Sequence, residues 1–230
     1  MLKLINAGPS PFGRKVMVAL YEKGIAFATE WDIPWHNDTV VAAYNPLEQL
    51  PILISEDGEI VYESSYIIEW IDTRFPEPPL TPDSAEARLA MGKFRVLAVG
   101  VMDALVRVNF ELSRPEAQQS DQWVDRHVRK INGGLRELNR LIGESNFAVD
   151  DTLSLADVEI GCVLGQLDFI GENVAPLRAV FEEQLAWRKN CPQLARYTDQ
   201  LMERPSFQRS EPFMVNIDFA SVTANSKRAG

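Results

Sequence analysis

The chain has 230 residues, 46% of them hydrophobic, and a formal net charge of −10 at pH 7. That length and apolar content suffice for two modest cores, and neither low-complexity tracts nor internal repeats appear. The acidic balance argues against a nucleic-acid surface, no apolar run reaches the roughly 18–20 residues of a membrane span, and the start lacks a signal peptide's apolar region, so a soluble cytoplasmic protein is expected.

Leu2 to Ile5 reads as a short strand. Ser10 and Pro11 then suit the N-cap and first position of a helix through Lys23, on which Val16, Ala19 and Leu20 recur at helical spacing. Gly24 closes that helix, and Ile25 to Trp31 reads as a second strand. A poorly defined helical stretch near Asp38 to Tyr44 leads to Pro51, which directly precedes a strand over Ile52 to Ile54. An Asp57-Gly58 turn, a strand over Glu59 to Tyr62 and a helix over Tyr66 to Ile71 follow, with Ser64 at or near the helix N-cap. The order is β-α-β followed by β-β-α, which puts Pro51 and Ser64 at one end of a sheet.

Phe75 to Pro82 is proline-dense and reads as a stiff boundary. The resulting division is a first domain over 1–76, a linker over 77–86 and a helical domain over 87–230. Helices are expected over Ala85 to Leu112, Gln119 to Ile142, Ser154 to Ile170, Leu177 to Arg188 and Pro192 to Glu203. Ser154 with Asp157 forms a capping-box-like pair, and Leu153 with Val158 suits a hydrophobic staple. After Glu211, Phe213, Val215, Ile217 and Phe219 alternate as in an extended segment that packs back on the body, and Ser221 to Gly230 reads as mobile. Arg126 to Lys130 reads as a solvated helix face. Cys162 and Cys191 have no metal-ligand spacing and His36 and His127 are far apart, so no metal is expected. His36, beside Trp35, reads as an exposed loop histidine, with a place near a ligand as the alternative.

Two features point to a small acidic peptide as ligand. An X-Pro bond is the one peptide bond where cis is cheap, and a cis Leu50–Pro51 would turn the Leu50 N–H and C=O outward to pair with an extended peptide. A helix start at Ser64 favours a carboxylate through its N–H groups and dipole. The structural alternatives are a proline that ends a loop and a serine that caps its own helix.

On Leu50-Pro51, Glu63-Ser64, the Leu153 to Asp157 cap and the Cys191 to Phe207 stretch, the chain resembles the cytosolic glutathione transferases over essentially its whole length. The resemblance implies an α/β thioredoxin-like N-terminal domain and an all-α helical-bundle C-terminal domain. It further implies that Leu50-Pro51 binds the cysteinyl backbone of glutathione and that Glu63 and Ser64 hold its γ-glutamyl carboxylate. Ser10 matches the catalytic serine of the serine-type bacterial members, where the beta class has cysteine. The strand-end tyrosine of other classes is absent, with Asn6 and Ala7 in that region. Gln49 stands where many relatives have lysine, so it can bond the glycyl carboxylate without a charge, and modest glutathione affinity is expected. Asp103 resembles an acidic residue that crosses the family's dimer interface, with an ordinary exposed carboxylate as an equal alternative. Phe12, Arg14, Arg107 and Phe110 are candidates for the electrophile pocket; the alternatives are solvated arginines and, for Phe110, core packing.

The chemistry such a site must perform is definite. A free thiol of pKa about 8.5 is only about 3% thiolate at pH 7, and lowering it by about two units takes roughly 2.7 kcal/mol. A hydroxyl donating to the sulfur at the positive end of a helix supplies about 1.5–3 kcal/mol. Ser10 is the candidate, and its hydroxyl can cap a helix and donate at once. The expected protein is therefore a homodimeric glutathione S-transferase that uses glutathione as co-substrate and conjugates it to a small apolar electrophile, as in detoxification. A glutathione-dependent lyase or isomerase, and a non-catalytic protein-binding module on the same fold, are the alternatives.

Overall fold

A computed structural model describes residues 1–34, 36 and 38–215. They fall into two units: Met1–Pro78 together with 210–215, and Pro79–Arg209. The first unit contains β1 (Leu2–Asn6), α1 (Pro11–Glu22), β2 (Phe27–Trp31), α2 (Val41–Tyr44), β3 (Ile52–Ile54), β4 (Ile60–Tyr62) and α3 (Ser64–Arg74). Its sheet runs β2-β1-β3-β4, with β1 and β2 parallel and the other pairs antiparallel. The register sets Asn6 opposite Trp31, Ile5 opposite Ile52 and Ile52 opposite Tyr62. The ends of β1, β2 and β4 and the start of β3 therefore share one edge of the sheet, and every loop carrying a candidate ligand residue leaves from it.

The apolar pattern explains the packing. Leu4, Ile5, Ile52 and Leu53 are fully buried in the sheet, and Val16, Ala19 and Leu20 on α1 are equally buried. α1 packs along α3. Lys23 fastens the far end of that pair: its side chain is wholly buried, its ammonium lies 2.7 Å from Asp72, and it donates to the carbonyls of Phe75 and Pro78. An ammonium removed from water needs such a set of partners.

The second unit is helical: α4 (Ala85–Leu112), α5 (Asp121–Ile142), α6 (Leu155–Asn173), α7 (Ala175–Val180), α8 (Trp187–Asn190), α9 (Pro192–Met202) and α10 (Pro205–Gln208). α6 is buried on all sides over its first ten residues, and its start is anchored by Asp157. That fully buried carboxylate accepts from the Ser154 N–H and hydroxyl, from the Ala148 N–H and from the Tyr197 hydroxyl. Burial pushes the Asp157 carboxyl above its usual value, and the same burial beside Asp157 holds the Tyr197 phenol well above its own.

The expected class, α/β first and all-α second, is what the structure has. Several local expectations change. α3 is capped by Glu63, with Ser64 as its first helical residue. The helix expected over Leu177 to Arg188 is broken into α7, a π turn at Phe181–Leu185 and α8, with Ala186 at φ +21° between the last two. The boundary between the two units falls at Pro78/Pro79, inside the stretch 77–86. The chain from Ser210 groups with the first unit rather than with the helices, because Phe213 packs on Gly8 and Trp31. Ile217, Phe219 and the segment 221–230 lie outside the described residues, as does Trp35.

Candidate active site

The loop leaving β1 begins with a buried amide. Asn6 is 2% exposed, its Oδ1 accepts from the Ala7 N–H at 2.8 Å, and its amide nitrogen points at the Met17 sulfur. A Cβ on Gly13 would sit 1.6 Å from that Oδ1, so the first turn of α1 closes over Asn6 only because residue 13 is glycine. Between them, the Ser10 N–H donates to the Ala7 carbonyl at 3.0 Å, closing a turn over Gly8 and Pro9. Ser10 is the extended N-cap of α1, and its Oγ accepts from the Gly13 N–H at 3.3 Å. Accepting leaves the hydroxyl proton available, at the positive end of a 12-residue helix.

The second loop precedes β3. Leu50–Pro51 is cis, as the peptide-binding reading requires. Buried Asn45 organises the approach by donating from its amide to the Gln49 carbonyl at 2.8 Å and accepting from the Leu47 N–H at 2.9 Å. The Gln49 side chain is left exposed.

The third loop joins β4 to α3. Glu63 Oε1 accepts from the Ser65 N–H and from the Ser64 hydroxyl, both at 2.8 Å. Lost hydration alone would raise its carboxyl, but those bonds and the Lys15 ammonium outweigh it and hold Glu63 below its usual value. Lys15 is a residue that sequence reasoning missed. It is 2% exposed, and its ammonium donates to Ser65 Oγ at 2.8 Å, joining α1 to the start of α3. The available signal was its place between Arg14 and Val16 on a helix whose apolar stripe is wide.

The electrophile candidates fare differently. Phe12 is half-buried, whereas Arg14 is 3% exposed and so is not a solvated arginine. In the second unit Arg107 is exposed and bonded to Asp103 at 2.9 Å, one turn earlier on α4. Phe110 is 37% exposed, which removes the core-packing alternative. A cavity of about 610 Å³ in that unit, lined by Leu167, Asp168, Phe181, Trp187 and Arg188 among others, holds none of these residues. His127 is buried with its ring on Trp123 and Nδ1 2.9 Å from the Trp123 carbonyl, a packing role. His36 is half-buried in the loop after β2. No cluster suited to a metal ion and no helix long and apolar enough to cross a membrane occurs among the described residues.

Comparison with known proteins fits this geometry. Residues 9–74 match the family described as glutathione S-transferase, N-terminal domain, and residues 121–200 match glutathione S-transferase, C-terminal domain. The uncharacterized GST-like protein YibF of Escherichia coli (strain K12) is 36% identical over 212 residues, spanning 92% of this chain and 98% of that protein. The solved glutathione S-transferase of Methylobacterium radiotolerans JCM 2831, in complex with glutathione sulfonate, is 42% identical at a TM-score of 0.84, covering 94% of this chain and 97% of its own. That of Methylobacillus flagellatus KT, with glutathione bound, is 32% identical at a TM-score of 0.83, covering 93% and 100%.

Proposed function

Because the chain belongs to the glutathione S-transferase family, we propose that it binds reduced glutathione at the sheet edge, holds the thiol as thiolate with Ser10, and joins the sulfur to a small apolar electrophile. The observation that carries the reading is the Ser10 hydroxyl, fixed as an N-cap by Gly13 with its proton left to donate. The thiol proton leaves to solvent, and the hydroxyl bond and the helix dipole stabilise the anion that remains. The sulfur then forms the new bond while the electrophile's leaving group, or its polarised π electrons, takes up the charge.

Binding divides among the loops. The Leu50 backbone pairs with the cysteinyl backbone as an added strand ahead of β3, with Pro51 fixing the turn. Gln49 reaches the glycyl carboxylate. Glu63, an acceptor held ionised, takes the ligand's ammonium, while the Ser64 backbone N–H at the start of α3 takes the γ-glutamyl carboxylate, the Ser64 hydroxyl and Ser65 N–H being bonded to Glu63. Lys15 offsets the charge of Glu63, so that the carboxylate enters a region near neutrality.

The protein acts as a homodimer in this reading. Leu89 and Val96 stand on α4 at 78% and 74% exposure, and Asp103 follows seven residues later on the same face. A second copy covers that stripe and receives Asp103 near its own glutathione ammonium. A cytoplasmic site of action accords with the need for abundant reduced glutathione.

The test is the ultraviolet thiolate absorbance of bound glutathione against pH. A bound-thiol pKa well below the free value, lost in Ser10→Ala together with turnover while glutathione binding stays near normal, is expected. Equal thiolate signal in the two proteins would remove Ser10 from the mechanism. Product analysis with aromatic halides, ethers and unsaturated ketones then separates conjugation from lyase or isomerase chemistry.

A further inference from the structure

The segment after the last helix returns to the first unit and touches the loop that carries Ser10. The Phe213 N–H points at the Gly8 carbonyl at 3.4 Å, and the Phe213 ring lies so close to Gly8 that an added Cβ would meet three ring carbons at 2.5–2.9 Å. Gly8 has no positive φ to explain its identity. Its reason is the ring: a side chain at residue 8 would occupy the space that the Phe213 ring fills.

Phe213 also meets Trp31 edge to face, with ring centroids 5.0 Å apart at 82°. Trp31 ends β2 directly opposite Asn6, at the sheet edge from which the Ser10 turn departs. The two rings remain 49% and 43% exposed, and Met214 beside them is 51% exposed. Two large aromatic side chains, locked together yet open to solvent, rest on Gly8, which precedes the candidate thiolate-stabilising Ser10 by two residues in the same turn, and so offer an apolar surface beside the loop that carries that hydroxyl.

We propose that Phe213 and Trp31 form an aromatic wall of the electrophile site, that the segment 211–215 is the strap that holds it, and that the electrophile is planar and aromatic. The inference rests on the glutathione reading and adds the substrate class. The wall acts on the group attached to sulfur and leaves the tripeptide alone. Gly8 and Phe213 act as one unit, since a side chain at 8 displaces the ring.

Calorimetric titration with two preformed conjugates, S-methylglutathione and S-(2,4-dinitrophenyl)glutathione, tests the wall without relying on turnover. Phe213→Ala should weaken the aryl conjugate about tenfold, the scale of one aromatic contact with its buried area, and leave the methyl conjugate unchanged. Phe213→Tyr should keep the aryl preference. Gly8→Ala should reproduce the loss, and Gly8→Ala combined with Phe213→Ala should add nothing further. Equal weakening of both conjugates in Phe213→Ala, or no weakening of either, overturns the wall while leaving the glutathione site in place. Binding of neither conjugate by the unaltered protein overturns the glutathione reading and the wall with it.

Discussion

Lys15 shows how a buried charge becomes part of a site. A fully buried ammonium would be costly alone, yet here it bonds Ser65 and faces the carboxylate of Glu63, whose own bonds to Ser64 and Ser65 complete the set. Lys15→Met keeps the volume and removes the charge, so the first unit should stay folded while the glutathione KM rises about tenfold with kcat little changed, and Lys15→Arg should recover part of the loss. The sign of the pH dependence follows from Glu63, held below its ordinary 4.5. A carboxyl of lowered pKa keeps its contribution above the ordinary value and loses it as pH falls through the lowered one. Glutathione affinity should therefore stay flat on this account from neutral pH down to about 5, and in Lys15→Met the acid-side loss should move upward. A loss above pH 5 in the unaltered protein would show that Glu63 is not the group holding the ligand's ammonium.

The elements differ in how openly their sequences declared them. α4 follows its apolar period from Ser84 to Leu112, and both ends agree with the sequence reading because Ser84 caps it by accepting from the Ala87 N–H and nothing inside interrupts it. Ser10, Pro11 and Gly24 likewise marked both ends of α1 through ordinary capping chemistry. The break at Ala186 was not legible, because a positive φ at alanine carries no glycine or proline as a sign. The Glu63 cap was hidden for a related reason: serine is the usual capping side chain, and only the geometry shows the carboxylate of the preceding residue reaching the Ser65 N–H. Lys15 was hidden by charge, since a lysine on a helix normally marks the wet face. The start of α6 was plain from Ser154 and Asp157, but the Tyr197 hydroxyl that completes it comes from forty residues away. Asp157→Ala leaves the Ser154, Ala148 and Tyr197 donors without their acceptor in a buried place, so it should destabilise the second unit by about 3–5 kcal/mol in chemical denaturation. A change under about 1 kcal/mol would mean that water enters and replaces the carboxylate.

For the whole molecule, the α4 stripe should decide the assembly. Leu89→Arg with Val96→Arg places two cations on a face proposed to meet its own copy, and sedimentation should show a shift from dimer to monomer with the helical circular dichroism unchanged. Persistence of the dimer would place the interface elsewhere and leave Asp103 paired only with Arg107. The path of the chain has a further consequence, which concerns time. The first unit is split in the sequence, its early part finished by Pro78 and its last described piece starting at Ser210, with all the helices of the second unit between. At about 5–20 residues per second of synthesis, the roughly 135 residues from Pro78 to Phe213 take roughly 7–27 s to make. During that interval a nascent chain holds the loops proposed to recognise the tripeptide but has yet to gain the ring that lies on Gly8. If Phe213 forms the proposed wall, selectivity toward the second substrate is therefore acquired later in synthesis than the proposed tripeptide site.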